Sequence, residues 1–308
     1  MTNIELELLT DREMIDFFIE KGTMRGGIST VCRKKESIAN NKYMCNYDPN
    51  KESSYIMYYD VTNLYGFTMT EKLPVNNFQW LSLEEINYFQ NNINELFKYI
   101  NSDTGYILEV DLIYPISLKN KHIELPLAPQ HYDNKLTPNL FSKYNYRLRF
   151  ENLKFYIDNG MILQRIIKGI KFYQTNWLQP YINLNTELRK NTTDESAKNF
   201  YKLMNNAVYG KTMENVFNRK KFHIITNNDI KKAERLLRNP RYKKEHMVSE
   251  NLVIVEMEKD VIEFDKPIYI GFSILELSKL HMYNLHYNVI KKHFDNSILM
   301  YMVYFSFS

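Results

Sequence analysis

The sequence predicts an α+β fold, and three observations carry that expectation. Residues 105–114 alternate, with Leu108, Val110 and Leu112 set against Ile107, Glu109 and Asp111, the two-residue period of a strand. Residues 82–99 mix polar and apolar side chains at helical spacing behind Ser82, a residue suited to open a helix. Residues 192–210 read as a second, longer helix, with Thr192 and Glu195 in the spacing of a capping box and Gly210 placed to stop or kink it.

The remaining elements follow along the chain. A short helix is expected over residues 11–21, then a loop around Gly26 and Gly27. Tyr55-Ile56-Met57-Tyr58-Tyr59 is a continuous apolar run of strand-forming residues and predicts a buried strand that ends at Asp60. Residues 115–138 hold several prolines and read as a connection. Residues 147–157 and 181–189 are expected as helices, with a strand over 162–172 between them. Residues 222–225 and 252–257 read as strands around a basic helical insertion. In the last helix Leu275, Met282, Leu285 and Val289 recur at helical spacings, so one side should be buried.

Composition bounds the function classes. The chain has 308 residues, 44% of them apolar and 25% charged, which is enough for a real core and excludes a disordered chain. A net charge of +4 is too mild for a general polyanion binder, yet basic residues cluster in 189–221 and 231–244. The second cluster suits a channel along a nucleic-acid backbone and equally two solvated helical faces. Cys32 and Cys45 lack partners at zinc spacing and are expected as free thiols. His122, His131, His281 and His286 read as polar surface or edge residues rather than ligands. No apolar run reaches the ~20 residues of a membrane span, and the acidic start of the chain is unlike a signal peptide. The chain is therefore expected to be soluble and intracellular, in a compartment the sequence does not name.

Two segments carry chemistry. On the 192–210 helix Lys198, Lys202, Asn206 and Tyr209 fall within one quadrant, with Phe200, Leu203, Met204 and Ala207 opposite. Two ammonium groups, an amide and a ring on one face suit a triphosphate with its sugar and base. Lysines on a solvated helix would show the same pattern. Asp60, at the end of the expected strand, is placed to hold a divalent metal, although an aspartate there also serves as a cap or turn. The presence of both segments in one chain favours the chemical reading.

Asp60-Val61-Thr62-Asn63-Leu64-Tyr65-Gly66 and Lys202-Leu203-Met204-Asn205-Asn206-Ala207-Val208-Tyr209-Gly210 resemble the first two active-site motifs of family B DNA polymerases. The likeness is to the protein-primed branch of viruses, linear plasmids and Polinton-type transposons. Met24-Arg25-Gly26-Gly27-Ile28-Ser29, Glu109-Val110-Asp111-Leu112-Ile113-Tyr114-Pro115, Leu125-Pro126-Leu127-Ala128-Pro129 and Gly271-Phe272-Ser273-Ile274-Leu275-Glu276-Leu277-Ser278-Lys279 stand in the order of that branch. The resemblance implies an α+β polymerase palm, an antiparallel sheet with helices, interrupted by a helical fingers insertion and incomplete. It divides the chain into an approach segment (1–52), a first palm part with a branch-specific insertion (53–180), fingers (181–250) and a second palm part (251–308). The implied activity is nucleotidyl transfer from a dNTP to a primer 3′-hydroxyl, with a primer-template DNA and a terminal priming protein as partners.

The roles transfer residue by residue. Asp60 and the Val61 carbonyl would hold Mg2+, and Tyr65, with Leu64 beside it, would pack under the incoming sugar and exclude a 2′-hydroxyl. Lys202 would hold phosphate, with Lys198 and Lys190 as upstream basic positions, while Asn206 and Tyr209 would border the nascent base pair. Departures accompany the likeness. Gly66 stands where the family often has proline, and Ala207 where it usually has serine. No carboxylate follows Asp295 where the branch carries an Asp-Thr-Asp hairpin, and the sequence there reads Tyr304-Phe305-Ser306-Phe307-Ser308. The expectation is that a frameshift or early stop removed the hairpin, leaving weak magnesium binding and little activity. The alternative is a noncatalytic nucleic-acid or nucleotide-binding remnant of a mobile-element polymerase.

Overall fold

The computed structural model describes residues 2–33, 36–61, 63–133, 135–226 and 229–303, so Thr62 and the closing 304–308 stretch lie outside the described residues. The chain forms two units, Met1–Tyr209 with Pro267–Ser308, and Gly210–Lys266. The larger unit begins with α1 (Arg12–Ile19), β1 (Ser29–Val31), α2 (Leu64–Thr68), β2 (Leu73–Trp80), α3 (Leu83–Asn91), α4 (Ile93–Phe97), β3 (Thr104–Ile113) and α5 (Lys119–His122). It continues through β4 (Gln130–Tyr132), β5 (Lys135–Thr137), β6 (Lys143–Arg149), α6 (Phe150–Asp158), β7 (Ile162–Thr175), α7 (Gln179–Asn191) and α8 (Glu195–Thr212), whose residues from Gly210 on belong to the smaller unit. The smaller unit carries β8 (Lys220–Thr226), α9 (Ile230–Leu237), β9 (Tyr242–Ser249) and β10 (Leu252–Glu258). The larger unit then resumes with α10 (Ile268–Asn284), a π-helical turn (Leu285–Ile290), α11 (Lys291–His293) and β11 (Tyr301–Val303).

The main sheet has the order β2-β7-β3-β6, and every pairing in it is antiparallel. β3 alternates in sequence, but it is buried along nearly its whole length. Its acidic positions are therefore neutralised inside the unit: Arg147 Nε donates to Glu109 Oε2 at 3.1 Å, and Arg165 Nε to Asp111 Oδ2 at 2.5 Å. Burial of a carboxylate is tolerated only with such partners. Leu108, Val110, Leu112, Leu148, Phe150, Leu153, Tyr156 and Tyr283 form the heart of the core, where α6 and α10 meet the sheet. Each is fully buried, so truncating any of them would leave a cavity.

Several expected elements stand as read. Asp11 caps α1, and Ser82 and Glu85 form the capping box of α3, although Asn92 interrupts the helix and α4 starts afresh. Other expectations are corrected. Residues 147–149 belong to β6, because they pair with β3 before the helix begins at Phe150. The basic insertion of the smaller unit is half helix and half strand: β9 pairs with β10, and its Lys243 and Lys244 face Glu258 and Glu256 rather than lying on a helix. His122 and His286 are buried, not surface or edge residues. The π turn adds a residue to the helical repeat, which carries His286 and Tyr287 inward and leaves Val289 exposed.

The largest correction concerns Tyr55–Tyr59. That run forms no strand, and all five side chains are exposed. A strand needs a neighbour to accept its ladder hydrogen bonds, and the described residues supply none here. Strand propensity alone cannot substitute for one.

Candidate nucleotide and nucleic-acid site

The site is built where α2 and α8, about 140 residues apart in sequence, bring Tyr65 and Tyr209 together. α2 is a single short turn seated in the core by Leu64, Tyr65 and Thr68. Thr68 Oγ1 lies 3.1 Å from Ser278 Oγ of α10 and donates to the Tyr65 carbonyl at 3.0 Å, fixing the backbone that carries the ring. Phe67, at the rim, rests its ring 4.7 Å from the ring of His281.

α8 is held by α7. Asn185 Nδ2 donates to Asn205 Oδ1 at 2.9 Å, and the Tyr181 hydroxyl donates to the Met204 carbonyl at 3.2 Å. These contacts set which face of α8 turns inward, and it is not the one hydropathy suggests. Asn205 and Tyr209 are buried while Phe200, Leu203 and Ala207 are exposed and Met204 is half-buried, so most of the apolar set opposite the lysines faces outward. The cap differs too. Asp194 accepts from Ser196 N and Ala197 N, while the Thr192 hydroxyl accepts from Asp194 N, so Thr192 prepares the cap instead of forming it. Glu195 pairs with Lys198 at 2.6 Å instead of reaching back. Gly210 neither stops nor ends the helix, which runs to Thr212.

The two phenol rings lie 4.6 Å apart between centroids at an interplanar angle of 37°, with their hydroxyls hydrogen-bonded to each other. Burial pushes both tyrosines above the ordinary phenol range, and Tyr65 is partly relieved by the hydrogen bond from Tyr209. Lys202 lies two turns earlier on α8, roughly 10 Å along the axis, and it is exposed with no ion pair among the described residues. Lys198 is half-buried and tied to Glu195, and Lys190 is exposed in the last turn of α7. Asn206 is half-buried. Val61 packs against the core, whereas Asp60 is exposed on the uncovered run before it.

A profile of DNA polymerase type B, organellar and viral, matches residues 44–291. This chain belongs to that family. The type B polymerase fold is similar to solved structures of Phi29 DNA polymerase. For the ternary complex with primer-template DNA and incoming nucleotides, the TM-score is 0.53 at 14% identity over 98% of this chain and 44% of that one. For an orthorhombic crystal form of the same polymerase the values are 0.51, 14%, 98% and 44%. For the post-translocation binary complex with primer-template DNA they are 0.50, 15%, 98% and 43%. At these identities the likeness is one of fold. The chain thus spans less than half the length of these relatives, and no curated protein gives a significant match.

Further features of this family member stand beside that likeness. Among the described residues no three histidine, cysteine, aspartate or glutamate groups converge to hold a metal ion. Asp60 with the Val61 carbonyl is a donor set too sparse for the pair of magnesium ions expected there, and it does not fit them. The sequence reading also missed Asn63, whose side chain accepts from Gly66 N at 3.2 Å. The signal was present as a turn-forming asparagine three residues before a glycine. No helix among the described residues is long and apolar enough to cross a membrane.

Proposed function

We propose that this chain is the nucleotide- and primer-template-binding part of a DNA-directed DNA polymerase, which joins a dNTP to a primer 3′-hydroxyl when complete. The observation that carries the reading is the meeting of Tyr65 with Tyr209, since it unites the two motif-bearing elements at one place in the larger unit. Lys202 takes the phosphates as an unpaired ammonium, supported by Lys190 and by Lys198 once Glu195 releases it. Tyr65 lies under the sugar, and Tyr209 and Asn206 border the base pair. Leu64 anchors the turn that bears Tyr65. Residues 181–250 serve as the fingers, between palm parts over 53–180 and 251–308, with 1–52 leading in. A terminal priming protein belongs to the complete enzyme.

Binding and chemistry separate in this reading. Lys202→Ala is expected to weaken dNTP retention on a chain–primer-template complex about tenfold, the worth of one charge-assisted contact. Fluorescence anisotropy with labelled primer-template and increasing dNTP measures it, and an unchanged affinity would remove Lys202 from the site. Asp60→Asn should leave binding of primer-template unaltered, and that binding should weaken steeply with salt. Primer extension by these 308 residues in magnesium is expected to stay at background, because one exposed carboxylate cannot hold two cations against a triphosphate. Template-dependent extension would refute this last point. The alternative, a noncatalytic binding remnant, differs only in having no complete enzyme to serve.

A further inference from the structure

We propose that Asn63 and Gly66 form a coupled lock that holds the Tyr65 ring against Tyr209, making Asn63 a positioning residue for nucleotide selection. Asn63 stands in the left-handed region at φ 59°, ψ 57°, which asparagine tolerates better than most side chains. From there its amide folds back over the turn. Its Oδ1 accepts from Gly66 N at 3.2 Å while its carbonyl accepts the first helical hydrogen bond, from Phe67 N at 2.9 Å. A Cβ on residue 66 would stand 1.9 Å from Asn63 Nδ2, 2.5 Å from its Cγ and 2.8 Å from its Oδ1. Only glycine admits this arrangement.

The lock explains the departure at this position. A proline at 66 has no N–H to donate to Asn63 and would put ring carbons into the space the amide occupies. Gly66 and Asn63 are therefore one solution to the turn, not two independent choices. Tyr65 lies between this clamp and the Thr68–Ser278 contact at the other end of α2, so its backbone is held from both sides. Loss of Asn63 frees one side. The ring then moves relative to Tyr209, and a displacement of about 1 Å is enough to change selectivity by an order of magnitude or more. The role in selection rests on the proposed function above, whereas the placement of the ring does not.

The test is a double-mutant cycle on the full chain with two readouts. Photochemical dityrosine formation between positions 65 and 209, mapped by peptide mass spectrometry, reports ring placement. Asn63→Ala is expected to lower that yield about tenfold, as loss of a capping contact allows. Asn63→Asp, which keeps an acceptor for Gly66 N–H, should retain it. Gly66→Ala should reproduce the loss in the parent chain and add nothing in the Asn63→Ala background. Should Gly66→Ala alone fail to fold, the double variant, free of the collision, is expected to fold. Additive losses, an unchanged yield in Asn63→Ala, or a double variant that stays unfolded when Gly66→Ala does would each overturn the lock. The second readout is competition of dATP with ATP for the chain–primer-template complex, where the deoxynucleotide preference should fall about tenfold in Asn63→Ala and survive in Asn63→Asp. An unchanged preference beside a lost dityrosine yield overturns the role in selection. If no nucleotide binds at all, it is the assignment of Tyr65 to the sugar that fails, and the dityrosine cycle still decides the lock.

Discussion

Glu276→Ala is expected to lower the stability of the larger unit by about 3–5 kcal/mol, the usual consequence of stripping one partner from a buried ionic group. Glu276 is fully buried on α10, and Lys279, one turn on, places Nζ 2.7 Å from its carboxylate. The Arg25 guanidinium is 3.7 Å from the same oxygen and 3.8 Å from the centre of the Tyr146 ring. Lys279 Nζ also donates to the Arg25 carbonyl at 3.0 Å, and Asn152 Nδ2 donates to the Glu276 carbonyl at 2.8 Å. One carboxylate thus compensates two buried cations. Burial already pulls Lys279 down to about 8, and only its neighbour Glu276 pushes the other way. Without that neighbour the lysine would shed its proton or drag water inward, and the loop carrying Arg25 would lose its anchor. Urea denaturation of Glu276→Ala, Lys279→Met and the pair measures the effect. The double variant should be less damaged than the single losses sum to, and a Glu276→Ala loss below about 1 kcal/mol would show that the group is not buried as described.

Acid should destabilise the larger unit well above the pH at which carboxylates titrate. His122 and His286 flank the ring of Tyr287, with ring centroids 5.1 and 4.7 Å from it. His122 Nδ1 is 2.8 Å from the Tyr114 hydroxyl. Burial, first of all, lowers each imidazole from 6.5 to about 4; Lys121 and His286 add to this for His122, while Glu124 opposes and Lys291 reinforces it for His286. Both rings are therefore neutral in the fold. Below pH 6.5 the unfolded chain binds protons that the folded chain refuses, so stability falls as pH drops and levels off near pH 4. Each histidine accounts for roughly 3 kcal/mol across that window. His286→Met should remove about half of the slope between those limits, with little change at pH 8. A slope identical to that of the parent chain would place the loss elsewhere, in the carboxylates.

Much of the fold could be read from residue order because local chemistry and tertiary packing agree there. Ser82 with Glu85 opens α3 as its spacing implies, β3 lies where its alternation puts it, and β7 covers the strand expected over 162–172. Legibility fails where a partner decides. Tyr55–Tyr59 has strand residues but no neighbour. β9 is the converse: its side chains are nearly all exposed, no buried apolar face marks it as a strand, and the β10 ladder holds it extended. α8 looks amphipathic in one direction and packs in another, since Asn185 reaches Asn205 and turns the helix. His122 and His286 are polar by type, and only the π turn and the aromatic cluster bury them.

The candidate site divides in the same way. Tyr65, Lys202 and Tyr209 are named by motif spacing, yet nothing in a linear string shows that two of their rings touch. Asn63 lay beside them unnoticed because its role is a relation to Gly66, visible only once the amide is seen occupying the space of a missing Cβ.

The contact between the two phenols also sets what a guest molecule must do. Anything that slides between Tyr65 and Tyr209 first has to part them and break their shared hydrogen bond, so the binding free energy an experimenter records is a difference between two embraces. Weakening the rings' hold on each other would make ligands adhere more tightly while telling them apart less well.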